Sequence, residues 1–322
     1  MGKLLTLSLL GSVAFSLTVV SSVRADDEMN CAKLTQQQPP ATALQWFERG
    51  VLAGHCYRFD ALAVRFGPGG FKTLDIDHGV NEDGEHELIR FLDGPSVQLE
   101  RKGHVLSDWR SEQQSQSAGG SLSPSASDLQ KYYRFDIAGT DRVANREVVV
   151  LNVISHDGMR YSHQFWFDKS TGLPLKQLML DESGHILEAF QVAQLNALEL
   201  YPGSLSTIDS TSSSNDMGWQ PSWLPGGYRR VLAESDVEIN GVPMARRLYS
   251  DGLSSLSIFT GSLNNKHALR EGIHGLGIFQ AAVRHVEHEG QVYQIVVVGE
   301  VPTAVLSKVI SNLHWSDTVP IP

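Results

Sequence analysis

The chain has 322 residues, with 26 Lys and Arg against 36 Asp and Glu, a formal net charge of −10 and 41% hydrophobic residues. That length is too great for one ordinary core, so two domains are the default. The acidity excludes general nucleic-acid binding, and two cysteines without a C-x-x-C spacing exclude thiol redox catalysis.

The first residues combine Lys3, an apolar run from Leu4 to Val20, and Val23-Arg24-Ala25 as a small-residue cleavage pattern. This predicts a signal peptide, residues 1–25, cleaved after Ala25, and hence export. A retained anchor is the weaker reading, because the run is short for a membrane span and acids follow at once. Cleavage removes Lys3 and Arg24 and no acid, which takes the charge from −10 to −12. Cys31 does not follow a lipobox, so no lipid anchor is expected. In an oxidising compartment Cys31 and Cys56 can form a disulfide tying the mature N-terminus to the first strand; two unpaired thiols is the other reading.

Ala41 to Leu52 has helical spacing, with Leu44, Phe47 and Val51 on one face. Short strands then read at residues 57–64, 87–92, 96–101 and 105–109, separated by Gly67-Pro68-Gly69-Gly70, Asp93-Gly94-Pro95 and Lys102-Gly103. The low-complexity stretch 111–128 reads as a loop between strands. Strands resume at 132–137 and 147–155. "HQFWFDKSTGLPLKQLMLDESGHILEAF", residues 163–190, supplies three more, joined by tight turns at 169–172 and 181–184. Many sequential strands with tight turns predict an antiparallel sheet that curls.

Residues 201–217, rich in Ser and Thr, read as a linker between a first domain at 26–200 and a second at 218–322. The second offers strands at 248–249, 255–259, 281–285 and 292–298. A helix follows near 302–313, with Pro302 at its start and Val305, Val309 and Leu313 on one face. The fold class is therefore α+β.

No G-x-S-x-G elbow, H-E-x-x-H or P-loop is present, and no cofactor site is read. In "HVEHE", His285 and His288 fall on opposite sheet faces, which argues against a metal site. "HGVNEDGEHE", residues 78–87, reads as an exposed loop. Asp168 and Asp181 flank turns, where Asp is favoured for local hydrogen bonds. The expectation is that the chain is not an enzyme. Apolar residues 178–180 run without alternation, so part of the sheet is expected to be covered on both faces. A space between the curled sheet and the first helix would accept an acyl chain. Phe165, Phe167, Leu175 and Leu178 are the candidate lipid-lining residues. The pairs Arg229-Arg230 and Arg246-Arg247 are candidates for meeting lipid phosphate or an acidic partner segment, since a guanidinium suits both.

"RFDIAGTDRVANREVVVLNVISHDGMRYSHQFWFDKSTGLPLKQLMLDESGHILEAFQ" and "EHELIRFLDGPSVQLERKG" resemble the first domain of the RseB/MucB family. "WLPGGYRR", "YSDGLSSLSIFTG" and "VVVGEVPTAVLSKVISNL" resemble its second. The resemblance runs from about residue 41 to 315. It implies an N-terminal open antiparallel β-barrel with a helical plug, of the LolA and LppX kind, and a smaller C-terminal α+β domain. It also implies a periplasmic regulator of the envelope-stress sigma factor, sigma-E or AlgU. Such a protein binds the periplasmic part of the anti-sigma factor RseA or MucA, shields it from the site-1 protease, and is released by lipopolysaccharide or related lipid. A homo-oligomer is compatible with this reading. The alternative is a periplasmic lipoprotein or lipid carrier of the LolA type; "FDKSTGLPLK" occurs there too, but a carrier needs no second domain.

Overall fold

The computed structural model describes residues 28–103, 126–206, 218–239, 242–263, 268–276 and 279–315. The predicted signal peptide, the predicted strand 105–109 and most of the stretch 111–128 lie outside them.

A short strand β1 (Glu28–Asn30) and a single helical turn α1 (Lys33–Gln36) precede the main helix α2 (Ala43–Cys56). Thr42 starts α2 with a capping box. Its side chain accepts from the Gln45 backbone N–H, and the Gln45 side chain accepts from the Thr42 backbone N–H. Two donors that a helix start leaves unpaired are thereby satisfied. Strands β2 (Tyr57–Gly67), β3 (Gly70–Asn81), β4 (Gly84–Phe91) and β5 (Val97–Gly103) follow. After the turn α3 (Ala126–Leu129) come β6 (Tyr133–Val143), β7 (Arg146–Ser155) and β8 (Ser162–Asp168). The N-terminal lobe ends with β9 (Pro174–Leu180), β10 (Ile186–Leu200) and β11 (Ser204–Ser206).

Nine of these strands form one antiparallel sheet in the order β5-β4-β3-β2-β10-β9-β8-β7-β6, while β1 pairs with β11. Tight turns set the meander. Ala144 and Asn145, at φ 47° and 64°, form the left-handed two-residue turn that suits the twist of β6 and β7. Long β10 joins the two halves, pairing with β2 along one edge and β9 along the other. Register breaks against β2 at 192/194 and 196/199 add the local bend that curls a sheet. Among the described residues β5 and β6 remain edges, so the sheet is open, as expected.

Two sequence readings need correction here. Residues 78–87 are not an exposed loop; they are the β3–β4 hairpin with its tip between Asn81 and Gly84, and His78 is buried. His78, Gly79 and Val80 are buried in succession and the exposed Asn81, Glu82 and Asp83 make the tip, so no alternation of burial marks the hairpin in the sequence. Ser204–Ser206, inside the stretch read as linker, form β11 against β1.

Cys31 and Cys56 are joined, with a Cα–Cα separation of 5.4 Å, inside the usual range for a disulfide. The bridge holds the chain before α1 to the last residue of α2.

The C-terminal lobe comprises β12 (Trp219–Pro221), β13 (Arg229–Ile239), β14 (Val242–Ser250), β15 (Ser255–Ser262) and β16 (Gly272–Leu276). It continues with β17 (Phe279–His288), β18 (Gln291–Gly299), helix α4 (Thr303–Ser311) and β19 (Leu313–Trp315). A six-stranded sheet runs β13-β14-β15-β18-β17-β16, and β12 pairs with β19. Four strands were expected; β13 and β16 are the additions. Val305, Leu306, Val309 and Ile310 of α4 pack on Leu256, Ile258, Ile295 and Val297. The alternate residues Val296 and Phe259 belong to a separate cluster with Met244 and Val283, as strand alternation requires.

Candidate functional site

Helix α2 lies directly on the N-terminal sheet. Trp46 and Phe47 are buried among Val149, Leu151, Val153, Phe165 and Phe167. The Phe47 ring meets Phe165 edge-on at 5.9 Å, and Phe165 stacks on Phe167 at 5.5 Å. At Gly50 the approach is closest, because a Cβ there would stand 2.1 Å from the Phe167 ring. A glycine inside a helix costs about 1 kcal/mol against alanine, and this contact is its reason. That glycine was the sequence signal for the seam, and the sequence reading passed over it.

The four lipid candidates do not share one surface. Phe165 and Phe167 face α2, 3% and 2% exposed. Leu175 is fully buried in a second cluster with Trp166, Ala61, Ala63 and Ile76, and Leu178 is half-buried beside it. Trp166 sits between the two phenylalanines in sequence and points the other way, so β8 is covered on both faces, as expected.

The turn after β8 supports α2. Asp168 is buried and accepts from the backbone N–H groups of Ser170 and Thr171 and from both hydroxyls. Arg146 adds a two-pronged pair at 2.7 and 3.1 Å. Burial alone would raise the Asp168 carboxyl; the hydrogen bonds from Arg146, Ser170 and Thr171 outweigh it and hold the pKa at about 2. The turn fixed in this way presents the Ser170 carbonyl to Arg49 of α2 at 3.2 Å. Gly172, at φ +85°, leaves room for the Arg49 stem.

The four arginines part company. Arg229 and Arg230 are exposed on β13, with Arg229 4.0 Å from Asp128. Arg246 and Arg247 are not the solvated surface pair that such doublets usually are: they are 9% and 3% exposed. Adjacent on β14, they point to opposite faces. Arg247 donates to the Trp219 carbonyl and lies 4.4 Å over the Trp219 ring, while Arg246 lies 5.7 Å over Phe259.

Several polar groups elsewhere have structural partners. His288 stacks on Trp315 at 5.0 Å and does not join His285. His78 faces the Tyr57 carbonyl through Nδ1 at 2.8 Å, and burial pushes its pKa down. Asp181 accepts from the Ser183 and His185 backbone N–H groups, as a turn residue should. Among the described residues no group of three His, Cys, Asp or Glu could hold a metal ion, and no helix is long and apolar enough to cross a membrane.

Comparison with known proteins places this geometry. The family model for the MucB/RseB N-terminal domain matches residues 42–216, and that for the MucB/RseB C-terminal domain matches 213–314. The sigma factor AlgU regulatory protein MucB of Pseudomonas aeruginosa is 30% identical over 294 residues, covering 85% of this chain and 91% of that protein. The sigma-E factor regulatory protein RseB of Escherichia coli is 23% identical over 285 residues, covering 82% of this chain and 88% of that protein. The crystal structure of MucB in complex with MucA(peri) matches with a TM-score of 0.65 at 27% identity, over 86% of this chain and 100% of that one. A second complex, of Pseudomonas aeruginosa MucA/MucB, gives 0.66 at 27% identity over 86% and 99%. Matched in both lobes, the chain belongs to the MucB/RseB family, whose curated relatives are named as regulatory proteins rather than enzymes.

Proposed function

We propose that this chain is an exported, periplasmic regulator of an envelope-stress sigma factor, acting by binding the periplasmic segment of a MucA/RseA-type anti-sigma factor. The observation that carries the reading is the likeness over both lobes to MucB solved with MucA(peri). Bound, it shields that segment from the site-1 protease. Lipopolysaccharide or a related acylated lipid releases it, by favouring a form with lower affinity for the partner.

The acyl chain is proposed to enter between α2 and the sheet, where Phe165 and Phe167 are covered by Phe47 and Gly50. Entry there means displacing the helix. Leu175 and Leu178 border the neighbouring cluster. Of the arginines, Arg229 and Arg230 are proposed to meet phosphate or an acidic partner segment, because both are exposed.

The test is retention on a resin. Immobilised residues 26–322 should hold the periplasmic segment of a MucA-type protein, and added lipopolysaccharide should lower the amount held. Retention of lipoproteins in place of that segment would replace this reading with the carrier one.

A further inference from the structure

Leu253 of the C-terminal lobe is packed inside the N-terminal core, and Met159 of the N-terminal lobe lies against the C-terminal core. Between these two insertions sits a buried charge. Arg160 and Asp251 have side chains with 0% exposure, and Arg160 Nη1 donates to Asp251 Oδ2 at 2.5 Å. Arg160 Nη2 also donates to the Gly226 carbonyl at 2.7 Å and to Asp157 at 3.0 Å. The guanidinium is ringed by Tyr132, Tyr133 and Tyr228 at 4.6, 5.5 and 5.4 Å from their ring centres.

Asp251 is held from both sides. Tyr133 donates its hydroxyl to Oδ2 at 3.0 Å, while the Leu253 and Ser254 backbone N–H groups donate to Oδ1 at 2.9 and 2.8 Å. The same carboxylate therefore shapes the loop that carries Leu253 and receives the other lobe's cation. Gly227, at φ +87°, would place a Cβ 2.4 Å from the Tyr132 ring, so this loop needs glycine to admit that ring.

We propose that Arg160 is a positioning residue: with Asp251 it forms a separable latch that fixes the orientation of the two lobes, and through that orientation sets the affinity for the anti-sigma segment. The physical argument lies in the kind of contact. A junction closed by a wholly apolar surface loses its full stabilisation when it opens. A buried ion pair carries a large desolvation cost that water returns on opening, so it specifies one geometry without binding the lobes irreversibly. Single-partner removal is different, since it strands a charge in the closed form and favours the open one. The role in binding rests on the regulator reading above; the latch itself does not.

Spin labels at the exposed positions Ser183→Cys and Gln291→Cys report the distance between lobes in the full mature chain. The parent should give one narrow distance. Asp251→Asn and Arg160→Gln should broaden it with secondary structure unchanged, and should change affinity for the anti-sigma segment at least about fivefold, the low end of ordinary coupling. Tyr133→Phe removes one hydroxyl and strands no charge, so it serves if the charge variants do not fold, with broadening again expected. Folded variants that keep the parental distance overturn the latch, and a broadened distance with parental affinity overturns its role in binding. If the parent chain fails to bind the segment, the regulator reading falls, and the distances still decide the latch.

Discussion

Gly50 and Phe167 are in direct contact, with no room for a Cβ between helix and ring. Gly50→Val therefore forces α2 away from β8 or the ring out of place. Overpacking of this kind costs about 1–3 kcal/mol, which outweighs the better helix propensity of valine. Chemical unfolding should show a lowered midpoint. A raised midpoint would mean that the seam has slack that the structure does not show.

Arg247 and Arg230 stand on neighbouring strands and should respond differently to truncation. Arg247→Ala removes a guanidinium that donates to the Trp219 carbonyl and covers the Trp219 ring. Losing a charged hydrogen bond and leaving a buried acceptor unmet costs about 2–3 kcal/mol. Arg230→Ala touches an exposed side chain and should stay within about 0.5 kcal/mol. Thermal melts of both variants decide it; equal shifts would refute the assignment of Arg247 to the core.

The same pair shows what the sequence could tell. Two Arg-Arg doublets look alike in composition, and only strand register separates them: Arg246 and Arg247 pair with Phe259 and Ile258 in mid-sheet, Arg229 with Ser250 at a strand end. The meander at 163–190 was legible because its turns carry Gly172 and Gly184 at positive φ. Helix α2 was legible from its apolar spacing. β16, "GIHGL", was not, because two glycines erase the alternation that marks a strand. Arg160 and Asp251 were not either. They are 91 residues apart, and neither "DGMRYSH" nor "YSDGLSS" carries a local pattern for burial.

The Cys31–Cys56 bridge closes a 25-residue separation. In the chain-entropy picture a loop of that size is worth about 3.5 kcal/mol. Reduction of the otherwise unaltered protein should lower stability by about that amount and free the segment holding β1, α1 and the end of α2. Denaturant curves with and without reductant check this. Coincident curves under confirmed reduction would show that packing of Leu34, Ala53 and Val80 holds the segment unaided.

Asp168 predicts a pH dependence with a definite sign. Its folded pKa of about 2 lies below the ordinary 3.8, so the charged form is favoured by folding. The stability this contributes is fully present above 3.8 and is lost as pH falls from there through about 2. A shift of nearly two pK units corresponds to about 2 kcal/mol. Asp168→Asn cannot ionise, so it should be less stable than the parent by about that much near neutral pH. The gap should close in the acid range as the parent's carboxylate is protonated. Because the same turn presents the Ser170 carbonyl to Arg49, the variant should also loosen α2, seen as faster amide exchange around Gly50. A gap that stays constant from neutral pH down to the parent's acid limit would show that shape, and not the charge on Asp168, is what the turn requires.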